Sequence, residues 1–178
     1  FNTYGPRMPR FVILDFLRKL QHDASTLEIL GSGQQVRDFT YVSDTVEGLM
    51  LLAQRGVPAE AYNISSGDSL SITELAHALI STLGLVGQTR ITYTGVSWPG
   101  DAQRWEVSND RIRRLGFTPK VLLAEGLSRT IRWFQETQSN RQMHPTAHGL
   151  SLLPQLGRVA HGAASDSKQS DQRDKRDS

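Results

Sequence analysis

Apolar side chains recur at helical spacing in four stretches of this 178-residue chain. Ile13, Leu14, Leu17 and Leu20 make the first stripe, which predicts a helix over residues 10–21. Val46, Leu49, Met50 and Ala53 make the second. Ser43-Asp44 precedes it as a candidate N-cap, and Gly56 and Pro58 stop it. Leu75, Ala76, Leu79, Ile80 and Leu83 make the third, and Leu123, Leu127, Ile131 and Phe134 the fourth, over about 122–136. The third has the clearest start signal. Ser71-Ile72-Thr73-Glu74 is a capping box, in which the serine hydroxyl and the glutamate carboxylate each satisfy a free backbone N–H. Gly84 fits its C′ position. Ser108 is placed to cap a fifth, short helix that ends at Leu115-Gly116.

Between the stripes lie short β-rich runs. Leu27 to Leu30 ends in Gly31-Ser32-Gly33 and reads as a strand into a turn. Arg37 to Val42 alternates and is rich in aromatic and β-branched residues. Ala61 to Ile64 and Arg90 to Thr94 predict two further strands, and Trp98-Pro99-Gly100-Asp101 a loop. The order predicts an α/β or α+β fold with pieces of two subdomains sharing one chain. Periodicity stops after Gln138. Residues 139–178, ending in the polar and charged run Ser165 to Ser178, are expected to be a disordered tail, which leaves 1–138 as the folded portion.

The charge balance changes little once it is placed. The chain has 20 Lys/Arg and 18 Asp/Glu, but six of the bases and four of the acids lie from Ser139 onward. The body is neutral, so no nucleic-acid partner is expected. No apolar run approaches the length needed to cross a bilayer. Cysteine is absent, which removes disulfides and thiolate chemistry and fits a reducing, cytoplasmic setting. Phe1-Asn2-Thr3-Tyr4 has no initiator Met and no signal core, and reads as an internal position of a longer chain.

Candidate chemistry is thin. His22, His77, His144, His148 and His161 show no metal-ligand spacing and read as surface residues. Asp38 and Asp44 flank a strand and have the right type for an acid–base pair, but a cap or an arginine partner is the plainer role for each. Gly31-Ser32-Gly33 begins a G-x-G-x-x-G, yet position 36 is Val and a strand follows in place of a helix, so a turn is the better reading. Gly84-Leu85-Val86-Gly87 follows a helix and fails similarly. Arg7, Arg37 and Arg104 each sit at a turn beside glycine, proline or an aromatic, where a guanidinium fork suits phosphate oxygens.

The surroundings of those arginines resemble the extended short-chain dehydrogenase/reductase family, in particular its NAD-dependent nucleotide-sugar epimerases and dehydratases. Five stretches carry the resemblance: Phe1 to Arg7; Leu27 to Phe39; Tyr41-Val42-Ser43-Asp44; Tyr62-Asn63-Ile64 with Gly67, Ser71-Ile72 and Glu74-Leu75; and Gly100-Asp101 with Arg104, Leu115-Gly116-Phe117, Pro119, Glu125-Gly126-Leu127 and Trp133-Phe134. They follow in order over residues 1–136.

The resemblance implies the carboxy-terminal part of a Rossmann-type enzyme: a mixed α/β substrate domain plus a few Rossmann-side elements, namely 1–8, the helix from 44 and the strand 61–64. It implies a nucleotide-diphosphate sugar as ligand. Asn2 would contact the diphosphate side, Leu27 and Ile29 would line the pyrimidine slot, Arg37 and Arg104 would clamp the diphosphate, and Asp101 would take a ribose hydroxyl. NAD would be bound by a half upstream of Phe1. The family's catalytic Tyr-x-x-x-Lys is absent, because Tyr4, Tyr41, Tyr62 and Tyr93 are followed at +4 by Met8, Thr45, Ser66 and Ser97. No catalytic residue is therefore assigned. The full-length parent is expected to oxidise the sugar at C4 and then epimerise or dehydrate it, as a homodimer. The alternative is a non-catalytic module that holds a UDP-sugar or a partner protein. On its own the chain is expected to fold poorly or to expose an apolar surface, because the strand 61–64 and the helix 44–55 lose their sheet.

Overall fold

The structure is a computed structural model and describes residues 1–97 and 99–143. Among the described residues ten elements follow one another: β1 (Asn2–Tyr4), α1 (Val12–His22), β2 (Thr26–Ile29), β3 (Val36–Tyr41), α2 (Val42–Arg55), β4 (Ser69–Ser71), α3 (Ile72–Thr82), β5 (Arg90–Tyr93), α4 (Asp110–Arg114) and α5 (Leu123–Met143). The mixed α/β expectation holds. The helix predicted to end near 136 runs to Met143, beyond the expected boundary at 138/139. The remainder of the expected tail lies outside the described residues.

β3 is shared by two pairings. Its first half lies antiparallel to β4, with Val36 opposite Ser71 and Asp38 opposite Ser69. Its second half lies parallel to β1, with Phe39 opposite Asn2 and Tyr41 opposite Tyr4. β2 and β5 form a separate parallel pair, Leu27 opposite Ile91 and Ile29 opposite Tyr93. One hydrophobic core joins these pieces. It takes Ile13, Leu17 and Leu20 from α1, Leu27 and Ile29 from β2, Leu75 and Leu79 from α3, and Leu127, Ile131 and Phe134 from α5. Each such side chain contributes about 1.5–3 kcal/mol on burial. Gly126 lets α5 settle on β1 and β3, since a Cβ there would overlap the Tyr4 hydroxyl and the Tyr41 ring. Burial pushes the Tyr4 phenol well above its ordinary range. It stays protonated and reaches the Leu123 carbonyl at 3.4 Å.

The capping box of α3 is formed as read. The Ser71 hydroxyl accepts the Glu74 N–H at 3.1 Å, and the Glu74 carboxylate accepts the Ser71 N–H at 2.7 Å. The backbone bond first, and the Ser71 hydroxyl second, hold the Glu74 carboxyl below its ordinary 4.5. A depressed folded pKa gives stability that is present above the unfolded value and lost as pH falls through the folded one. Wild type should therefore unfold at a higher temperature than Glu74→Ala above about pH 5, and the gap should close on acidification. Thermal melts of both from pH 7 to 3 check this, and a gap that does not depend on pH would refute it.

Two expectations are corrected. Ala61 to Ile64 is extended in composition but forms no ladder, because no described strand offers it the partner a strand needs. Asp44 is not the N-cap of α2. The helix begins at Val42, and the buried Asp44 carboxylate instead accepts the N–H groups of Lys120 at 3.1 Å and Val121 at 3.0 Å, just ahead of α5. It acts as a cap across the fold. The stripe of α2 is real but faces outward, with Val46, Leu49 and Met50 each more than half exposed. The opposite side of the helix approaches the 61–64 segment, where Gly48 abuts Ile64. An exposed apolar face was expected for this helix.

Candidate functional site

Two cavities stand out. One, of about 310 Å³, lies between α1, the residues after α3 and α5, and is lined by leucines, Ile131, Phe134 and neutral polar groups. It has no charged side chain. The other, of about 480 Å³, is walled by α1, β2, β3 and the segment after β5, and holds Asn2, Asp15, Lys19, Gln35, Arg37 and Asp101 among its lining. Of the two, the second is the one where charged side chains converge, which makes it the candidate site.

Arg37 dominates its polar wall. β3 carries it, and the Asn2 amide of the neighbouring strand donates to the Asp38 carbonyl at 3.0 Å, tying the two strands at this point. The Arg37 side chain is only 11% exposed, and its Nη2 lies 2.7 Å from Asp101 Oδ1. Its Nη1 donates to the Val36 carbonyl at 2.8 Å. The guanidinium carbon stands 5.0 Å from the centre of the Trp105 ring, a cation–π contact. Trp105 in turn meets Phe1 edge to face at 6.2 Å. Asp101 accepts three hydrogen bonds, because its second oxygen also accepts from the Ser97 hydroxyl and, at 3.2 Å, from the Gln35 amide.

The residues singled out in the sequence fare differently. Asn2, Ile29, Arg37 and Asp101 line the same cavity. Leu27 does not line it. β2 alternates, so Leu27 and Ile29 both face the core and neither is exposed, while the rim is made by Leu30, 43% exposed. Asp101 faces Arg37 and holds it. Arg104 lies outside the cavity lining. Its backbone bridges to Val36, and its side chain, 64% exposed, pairs with Glu106 at 3.1 Å. Arg37 and Arg104 are thus brought together through the backbone, while the guanidinium of Arg37 is buried against Asp101 and that of Arg104 is exposed against Glu106.

Asp38 is fully buried and accepts four hydrogen bonds: from the Thr40 hydroxyl, the Ser66 N–H, the Ser66 hydroxyl and the Gly67 N–H. It is an anchor for the 65–67 turn, with no proton acceptor capacity facing the cavity. Gln35 and Ser97 are the participants the sequence reading missed. Gln35 is buried within a turn sequence, and nothing in a linear pattern distinguishes such an amide from its exposed neighbour Gln34.

A dinucleotide seat is not among the described residues. Gly31-Ser32-Gly33 joins β2 to β3, so no helix N-terminus stands behind it, and the Gly33 carbonyl is taken by the Thr73 N–H at 3.0 Å. The Gly84–Gly87 segment follows α3. NAD does not fit here. Among the described residues no group of His and carboxylates is placed to hold a metal ion, and no helix is long and apolar enough to cross a membrane.

Residues 1–65 match the NAD dependent epimerase/dehydratase family. The human dTDP-D-glucose 4,6-dehydratase is 35% identical over 147 residues, which cover 78% of this chain and 41% of the human protein. A Thermotoga maritima UDP-glucose 4-epimerase, solved with UDP-glucose, superposes with a TM-score of 0.70 at 29% identity, covering 77% of this chain and 44% of the epimerase. A Streptomyces venezuelae dTDP-glucose 4,6-dehydratase, solved with NAD bound, gives 0.66 at 31%, covering 81% and 44%. The chain spans less than half the length of these relatives.

Proposed function

We propose that this chain, an extended short-chain dehydrogenase/reductase of the NAD-dependent epimerase/dehydratase family, is the nucleotide-sugar-binding portion of its parent enzyme and binds a UDP-sugar in the 480 Å³ cavity. The observation that carries the reading is Arg37: a buried guanidinium, fixed by Asp101, the Val36 carbonyl and Trp105, in the wall of a cavity large enough for a small ligand. A guanidinium has five N–H donors, and among the described residues two are engaged. The others are available to a diphosphate, which such a fork matches in shape and charge. Lys19 at the same cavity is committed to Asp15 at 3.0 Å and to the Glu28 carbonyl at 2.9 Å.

In this reading the chain binds and orients, and the redox step belongs to the rest of the parent, where NAD would supply the hydride chemistry at sugar C4 before epimerisation or dehydration. The parent's C4 chemistry and its dimeric state are part of the proposal. UDP provides the test. The 178-residue chain should be stabilised by roughly 2.7 kcal/mol when UDP is at a hundredfold excess over its dissociation constant. Arg37→Ala combined with Arg104→Ala should abolish the effect. Thermal melts read it, and a wild-type chain indifferent to UDP would sink the reading. Stabilisation that persists unchanged in the double variant would leave UDP bound elsewhere.

A further inference from the structure

We infer that Gln35 is a positioning residue, whose side-chain amide fixes the Asp101 carboxylate and through it the Arg37 guanidinium. The inference rests on the ligand reading above and concerns a residue that reading does not use. Gln35 is only 4% exposed. Its Nε2 donates to Asp101 Oδ2 at 3.2 Å. A carboxylate only accepts, so the partner itself decides which end of the amide is nitrogen.

The other end is the informative one. Oε1 is buried and finds no hydrogen-bond partner among the described residues. An unpaired buried carbonyl is a cost, and an apolar side chain of the same length would avoid it. The amide is therefore explained by what its nitrogen does. The backbone makes room for it: Gly31, at φ +80°, has no Cβ, and one placed there would run into the Gln35 amide nitrogen. The Gln35 carbonyl of the main chain accepts the Ile72 N–H at 3.0 Å, which fixes this residue against the start of α3.

Asp101 is thus gripped from three segments: Gln35 ahead of β3, Arg37 on β3, and Ser97 in the run after β5. Arg37 owes part of its orientation to that grip. With the Gln35 contact gone, the carboxylate keeps one neutral donor in place of two, and the guanidinium it steers is held less firmly where a diphosphate would lie. Holding a binding group in place ahead of the ligand is where such a contact gains affinity.

Two substitutions test it. Gln35→Met removes the donor and the orphaned carbonyl at nearly constant length. Gln35→Glu faces Asp101 with a second acid. Two carboxylates this close share a proton as the pH is lowered, and the shared form offers an O–H where the amide offered an N–H. UDP affinity is measured by calorimetry at pH 8 and pH 5.5, each variant as a ratio to wild type at the same pH. Asp15, Lys19 and Glu28, the charged groups at this cavity besides Arg37 and Asp101, are common to all the proteins and cancel in the ratio, which leaves the coupling of residue 35 to Asp101 and Arg37 as what the pH change reads.

Gln35→Met should bind roughly tenfold more weakly at both pH values, the loss of one charge-assisted bond. Gln35→Glu should be at least as weak at pH 8 and return to within about threefold of wild type at pH 5.5. That recovery also shows the variant to be folded, and a side chain that merely fills space would not produce it. Wild-type binding of UDP with both variants within about twofold at both pH values overturns this inference alone. Failure of wild type to bind UDP removes the ligand reading and this inference with it.

Discussion

Replacing Asp38 with alanine should cost about 3–4 kcal/mol of stability, or roughly 10 °C in the unfolding temperature. The carboxylate is fully buried and divides four donors between its two oxygens. Oδ1 takes the Thr40 hydroxyl at 2.9 Å and the Ser66 N–H at 3.2 Å. Oδ2 takes the Ser66 hydroxyl at 2.9 Å and the Gly67 N–H at 2.9 Å. Alanine takes the acceptor from the Thr40 hydroxyl and leaves the other donors only their second contacts: the Ser66 N–H to the Thr40 hydroxyl at 2.9 Å, the Ser66 hydroxyl to the Asp68 carbonyl at 3.3 Å and the Gly67 N–H to the Ser65 hydroxyl at 3.1 Å. A bond to an ionised acceptor is worth about 1.5–3 kcal/mol, and the donors left behind add their own penalty, though the effects overlap and do not sum. The loss should spread, because the 65–67 turn carries the next contacts: the Ser65 carbonyl accepts the Asn109 amide at 2.9 Å, and Arg113 reaches Asn109 at 2.8 Å. α4 should therefore loosen with the turn. Asp38→Asn, which keeps one acceptor oxygen and turns two N–H groups toward donors, should cost about half as much. Denaturant titrations of the three proteins decide it. A cost for alanine below about 1 kcal/mol would mean that water replaces the carboxylate and that the anchor role is wrong.

That anchor shows which parts of the molecule a sequence can state. The helices were legible because each carries its own signals: the stripe of α1, the capping box of α3, and Leu127, Ile131 and Phe134 on α5. Strands were legible only where a partner exists. Tyr62-Asn63-Ile64 has strand composition and no ladder, whereas Ser69-Leu70-Ser71 has little strand character and becomes β4 because β3 lies alongside it. The missing information is non-local, and a propensity does not contain it. Carboxylates show the same limit. Asp44 looked like a local cap, yet its partners are Lys120 and Val121, 76 and 77 residues away. At the site, the residue types were legible and their directions were not. The segment after β5 aims Asp101 at Arg37, and β-bridging at Val36 leaves the Arg104 side chain outward. The family resemblance supplied Arg37 and Asn2, and the alternation of β2 sends Leu27 into the core.

The difference between the two arginines gives the second large effect. Arg37→Ala should weaken UDP binding about a hundredfold, whereas Arg104→Ala should change it by less than about threefold. The Arg37 guanidinium is buried and held before any ligand arrives, so little ordering cost is left to meet on binding, and two charge-assisted bonds to a diphosphate would account for the factor. Arg104 starts from the opposite position. Its side chain is 64% exposed and paired with Glu106, whose own exposure is 83%, so it would have to leave that partner, cross to the cavity and give up its side-chain freedom there. An exposed pair of this kind is itself worth little, which means the obstacle is ordering more than breaking. Calorimetry on the single variants separates the cases. Equal losses for the two would show that Arg104 swings from Glu106 onto the ligand, and that the clamp drawn from the resemblance assembles only when the site is filled. A loss confined to Arg37 would leave the diphosphate held by one pre-set guanidinium. Its affinity should then depend on Asp101 far more than on any residue from 104 onward.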